Sequence, residues 1–176
     1  FFNLEFAIPS RPYSYVSRYI EDKLCDHLNA SKEEKRIIQQ TLTYRISIFE
    51  EYIPTLRDAK RFINQFVLDF MEVRGDVLID EFLLIQLVKY RYPKLYKDVY
   101  SEKYFEKEGL LCHDERQYLK QDLKLKPCVL DVLNILFPNK ETVLVDTYRH
   151  ICNKTSYNNY FVNQVYSALR TRDMNK

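Results

Sequence analysis

The residue types that could do chemistry gather in one ten-residue stretch, Thr55-Leu56-Arg57-Asp58-Ala59-Lys60-Arg61-Phe62-Ile63-Asn64. Arg57, Lys60 and Arg61 stand at i, i+3 and i+4, so on a helix they share one side. Thr55, with Asp58 three residues on, reads as the cap that starts the helix, which puts all three cations in its first two turns. The helix macrodipole disfavours cations there by roughly a few tenths of a kcal/mol each. Such a group makes best sense with an anion opposite, either a phosphate or a partner's carboxylate. The competing reading is a solvated polar face with Asp58 as counter-charge.

Other constellations carry less. Val77-Leu78-Ile79-Asp80-Glu81 imitates the acidic end of a Walker B strand, but its apolar pattern continues for two to three turns. It reads better as a helix start, with Asp76 as cap and acids in the first turn. Cys25, Cys112, Cys128 and Cys152 lack C-x-x-C spacing; Cys25-x-His27 and Cys112-His113 are weak ligand pairs, and no metal site is expected. His27, His113 and His150 show no carboxylate partner pattern and read as surface or half-buried rings. The tyrosines of 90–104 and 148–166 read as core or half-buried rather than as base-stacking platforms. With glycine only at positions 75 and 109, a Walker A loop, a G-x-G-x-x-G turn and a G-x-S-x-G elbow are all excluded.

Helices must position these groups, because no alternating strand pattern competes. Helical spacing is expected from Tyr15 through Val16, Tyr19, Ile20, Leu24 and Leu28 to about Asn29. Ser31 and Glu34 form a capping box for a second helix through Ile37, Ile38, Leu42, Ile46, Phe49 and Ile53, ended by Pro54. The helix after Thr55 carries Ala59, Phe62, Ile63, Phe66, Val67 and Phe70. Residues 77–92 are apolar on most sides, which belongs in the middle of a bundle. Further helices are expected over 94–105, from Pro127 to Pro138, over 141–152 and over 157–169, with an irregular insert near Gly109. The fold class is therefore all-α, an irregular multi-helix bundle of about seven or eight helices. The first dozen residues, with Pro9 and Pro12, read as extended.

The chain has 176 residues and 46% hydrophobic content, enough for one domain with a real core. Its 27 basic and 25 acidic residues give +2, so no bulk field draws it to nucleic acid or anionic lipid. No apolar run reaches the roughly 18 residues of a membrane span, and no signal peptide opens the chain. A cytoplasmic location is expected, with a membrane tether elsewhere in a parent protein left open. Phe1 in place of Met, opening in mid-pattern, reads as a piece of something longer.

The stretch from Thr55 to Asn64 resembles the T-P-R-x-x-K-R-x-x-N segment of KAP family P-loop NTPases, with Leu56 where the family often has Pro. Phe1-Phe2-Asn3-Leu4-Glu5-Phe6, with Pro9 and Pro12 following, resembles the Y-L-x-K-I-F-Q stretch that leaves the nucleotide-binding core. The run from Asp80 to Tyr96 is similar to the leucine-rich helix leading into Y-P-x-L-Y. Leu136-Phe137-Pro138, then Arg149-His150-Ile151-Cys152, then Tyr160-Phe161 resemble the L-F-P and R-I-C…Y-F elements.

The resemblance implies three regions: 1–14 as an extended connector from an upstream NTPase core, 15–170 as a helical lid, and 171–176 as a tail. It implies ATP and Mg bound mainly by that core, no hydrolysis by this chain alone, and a sensor-like contact from Arg57 to the nucleotide phosphates. Lys60 and Arg61 stand beside it as further phosphate-facing candidates. The core of the same chain is then the first partner. A second reading is a helical interaction module that docks a protein or another copy of itself without nucleotide; a nucleic-acid partner is not expected.

Overall fold

The computed structural model describes residues 12–101, 127–138 and 149–161, and among these every regular element is helical. Eight α-helices appear: α1 (Tyr13–His27), α2 (Lys32–Tyr44), α3 (Ile46–Tyr52), α4 (Leu56–Val73), α5 (Ile79–Arg91), α6 (Pro93–Tyr100), α7 (Pro127–Leu136) and α8 (Lys154–Tyr157). A single 3-10 turn, Asn158–Tyr160, follows α8. The chain is thus an all-α multi-helix bundle, and no described helix is long and apolar enough to cross a membrane.

α1 buries Val16, Ile20 and Leu24 at the expected spacing. It starts two residues early, because Pro12 serves as N-cap and its carbonyl accepts the Tyr15 N–H at 3.0 Å. A missing N–H is harmless at a helix start. Residues 13 and 14 of the expected connector are therefore helical, and residues 1–11 lie outside the described residues. α1 ends where Asn29 adopts φ 45°, with the Asn29 and Ala30 N–H groups closing onto the Asp26 and Cys25 carbonyls. That Schellman closure satisfies carbonyls the helix leaves open.

α2 opens on the expected capping box, with Ser31 Oγ accepting the Glu34 N–H at 3.2 Å and Glu34 Oε2 accepting the Ser31 N–H at 2.8 Å. The single helix expected through Ile53 is instead two, divided at Arg45 (φ −117°, ψ 24°). One turn before the break the Thr41 hydroxyl donates to the Ile37 carbonyl at 2.8 Å, a back-bond of the kind that bends helices. Beyond the break Ile48, Phe49 and Tyr52 are buried, whereas Ile46, expected on the apolar face, is 41% exposed.

α4 and α5 form the central pair. The rings of Phe62 and Tyr90, Phe66 and Phe82, and Phe70 and Phe82 meet at 6.1, 5.5 and 5.7 Å, a ladder that runs the two helices antiparallel. α5 is buried at every position from Glu81 to Val88 and packs against α2, α3, α4, α6 and α7. Its start differs from the expected Val77 and Asp76 cap: the N-cap is Leu78, without a side-chain cap bond. The reason is tertiary. The Leu78 N–H donates to the Tyr160 hydroxyl at 2.9 Å and the Val77 carbonyl accepts from Arg149 at 2.9 Å, which holds this stretch out of the helix.

α6 begins at Pro93, in the first-turn position where proline is well tolerated, and runs to Tyr100; of the helix expected over 94–105, residues 102–105 lie outside the described residues. The Ser101 hydroxyl there donates to the Asp98 carbonyl at 3.0 Å, competing with the helix. α7 opens at Pro127 as expected. Of the helix expected over 141–152, residues 149–152 are turn and bend, drawn toward α5 by the bonds above, and 141–148 lie outside the described residues. The helix expected from 157 begins at Lys154 under an Asn153 cap and tightens into the 3-10 turn; 162–169 and the tail lie outside.

Candidate functional site

Thr55 caps α4 as the sequence implies, its hydroxyl oxygen accepting the Asp58 N–H at 3.1 Å. The same hydroxyl donates to Asp58 Oδ2 at 2.7 Å, and the Tyr90 hydroxyl donates to Asp58 Oδ1 at 3.0 Å. The Thr55 bond, reinforced by Tyr90 and by the charges of Arg91 and Arg61, holds the Asp58 carboxyl below its ordinary range despite partial burial. Asp58 is thereby turned onto the cap and onto α5. Arg57, Lys60 and Arg61 are exposed, and among the described residues none makes a salt bridge or a side-chain hydrogen bond.

Farther along α4, Asp69 is buried and accepts from Lys89 at 2.6 Å, so it too is committed elsewhere. Arg91 joins the basic group from α5, its Nε donating to the Tyr52 carbonyl at 2.8 Å and its charge acting on Asp58. Arg91 and Tyr90 were not legible as site residues, because their relation to α4 comes from helix pairing rather than from spacing. The face is convex. Two clefts of about 470 and 420 Å³ run along α2 and meet at Ile37, Leu78 and Asp80, and neither is lined by Arg57, Lys60 or Arg61.

A second constellation is buried. Glu81, 8% exposed, accepts the Ile151 N–H at 2.8 Å and lies 2.6 Å from His150 Nδ1 and 2.9 Å from the Tyr160 hydroxyl. Tyr160 also accepts the Leu78 N–H and lies 2.8 Å from the Arg149 carbonyl. A hydroxyl has one proton, so Tyr160 donates to Glu81 or to Arg149, not to both. Burial pushes the Glu81 carboxyl above its ordinary range, against the opposing bonds from His150 and Ile151. His150 is half-buried as expected but does have a carboxylate partner, which corrects the sequence reading. Asp80 and Glu81 sit on a helix, so the Walker B imitation fails on backbone geometry. The signal for Glu81 lay in the sequence: an acid inside a helix apolar on every side must find partners.

No group of three or more potential metal ligands forms among the described residues, and Cys25, Cys128 and Cys152 make no disulfide. Cys112 and His113 lie outside them. Of the two tyrosine stretches, Tyr96, Tyr157 and Tyr160 are buried and Tyr90, Tyr92 and Tyr100 half-buried, as expected, while Tyr104, Tyr148 and Tyr166 lie outside the described residues. No family model, no curated protein and no solved structure matches the chain.

Proposed function

We propose that the chain is the helical lid, or sensor-type region, of a KAP-like P-loop NTPase, coupling nucleotide state to conformational change without hydrolysing nucleotide alone. One observation carries the reading: Arg57 stands exposed in the first turn of α4 while the adjacent acid, Asp58, is taken up by Thr55 and Tyr90. A planar guanidinium with no hydrogen-bond or ion-pair partner among the described residues suits the paired oxygens of a phosphate. Lys60 and Arg61 add positive charge on the same side. ATP with Mg, held by a separate core, would supply the negative charge that this face meets. Arg57 binds the phosphates in the closed state; loss of the terminal phosphate weakens that contact, and the helical region moves by its difference in affinity for the two states. The cytoplasmic setting belongs to the same reading.

The test is ATP turnover by the parent chain that contains both the core and this region. Arg57→Ala is expected to lower kcat by about 100-fold, the scale of losing one preorganised charge-stabilising donor. Arg57→Lys should recover only part, because an ammonium does not reproduce the fork. Unchanged kcat and unchanged nucleotide affinity in Arg57→Ala would remove the reading.

A further inference from the structure

Arg57, Arg61, Asn64, Leu68 and Met71 follow one another along α4 at spacings of 4, 3, 4 and 3, the seam pattern of a helix that lies against another helix. All five are exposed, Leu68 at 71% and Met71 at 52%. Lys60 flanks the seam on the same side. The ridge extends about 21 Å at roughly 1.5 Å per residue, basic in its first half and apolar in its second. No described helix covers it, and among the described residues its cations make no salt bridge or side-chain hydrogen bond, Arg61 acting on Asp58 only through its charge.

We infer that this ridge docks a helix of a separate protein, one carrying carboxylates along the half that faces Lys60 and Arg61 and aliphatic side chains along the half that faces Leu68 and Met71. Charge complementarity selects this occupant over a second copy of the chain. Two α4 ridges laid parallel would set Arg57 against Arg57 and Arg61 against Arg61. Laid antiparallel about Asn64, they would set Arg57 against Met71 and Arg61 against Leu68, with Glu72 the one exposed acid at that end to answer Arg57, Lys60 and Arg61 of the other copy. A nucleic acid or a free phosphate would use the basic half and leave the apolar half in water. The inference holds with or without a nucleotide at Arg57, which lies at the end of the ridge.

The experiment uses the 176-residue chain and a labelled synthetic helical peptide of about five turns. The peptide has Glu at seam positions in one half and Leu at seam positions in the other. Fluorescence anisotropy is expected to show saturable binding. Affinity should fall about tenfold or more in Leu68→Ser/Met71→Ser and in Lys60→Glu/Arg61→Glu, the scale of losing central interface contacts. The charge-reversed protein should in turn bind the peptide with Lys in place of Glu. These side chains are exposed, so circular dichroism should show all variants folded. Binding is measured without nucleotide or core, so its outcome does not depend on the nucleotide reading, and Arg57→Ala, at the end of the seam, should weaken it less than Lys60→Glu/Arg61→Glu. Absence of saturable binding, or equal affinity for every variant, would overturn it. So would sedimentation showing a dimer that Leu68→Ser/Met71→Ser converts to monomer, because the ridge would then belong to a second copy.

Discussion

Two buried polar side chains on α5 meet opposite fates. Gln86 is 2% exposed and neither polar atom of its amide group has a hydrogen-bond partner among the described residues. An unpaired buried amide costs about 1–3 kcal/mol, and an apolar replacement of similar shape removes that cost. Gln86→Leu is therefore expected to raise unfolding stability by about 1 kcal/mol in urea titration. Glu81 instead accepts the Ile151 N–H and has His150 Nδ1 and the Tyr160 hydroxyl at hydrogen-bond distance, and Glu81→Ala, which strands these groups, should cost about 3 kcal/mol. Glu81→Gln keeps the shape and removes the titration. A carboxyl whose folded pKa is raised adds stability below its unfolded value near 4.5 and loses it as pH climbs through the folded value. Between those values the original chain should gain stability over Glu81→Gln on acidification. Glu34 and Asp58 are shifted downward and act in the opposite sense, but they are common to both proteins and cancel in the difference. Parallel stability-against-pH curves would show that Glu81 titrates no differently folded than unfolded.

At the scale of the element, the Thr55 cap decides where α4 begins and hence where Arg57 points. Thr55→Ala removes an acceptor for the Asp58 N–H and a donor to its carboxylate, and should cost about 1–2 kcal/mol in urea titration, with Thr55→Ser close to the original. This cap and the Ser31–Glu34 box were readable in the sequence because both partners lie three residues apart. The basic triplet was readable for the same reason, while the turning of Asp58 toward Tyr90 was not, because that bond spans 32 residues. The start of α5 was misread because Leu78 and Val77 are held by Tyr160 and Arg149, 82 and 72 residues away. The division of α2 from α3 was hidden by an unbroken helical spacing through Leu42, Ile46, Phe49 and Ile53. Hydrophobic period records which residues are apolar; it is blind to a Thr41 hydroxyl bonded back to a carbonyl.

Across the whole molecule, polar ties fasten separate parts of the chain around the ends of α4 and α5. Arg74 bonds Glu34 at 2.9 and 2.6 Å and the Leu28 carbonyl at 2.9 Å, joining the end of α1 and the start of α2 to the α4–α5 turn. Residues 149–161 reach the same turn through Arg149, Glu81 and Tyr160, and Tyr160 adds a ring contact of 6.2 Å with Phe82. Removing the Tyr160 hydroxyl leaves the ring packing in place but strips the acceptor from the Leu78 N–H and the donor shared by Glu81 and the Arg149 carbonyl. Tyr160→Phe should thus cost about 1–3 kcal/mol, and the loss should be local. Hydrogen exchange is expected to show the Leu78 and Ile151 amides losing protection together, because the turn and the 149–161 segment open as one unit. Amides of α1 and of the middle of α4, held by their own helical bonds and apolar packing, should keep theirs. If protection instead falls evenly through α1, α4 and α5, the segment is part of the global unfolding unit and the ties around Tyr160 do not define a separate one.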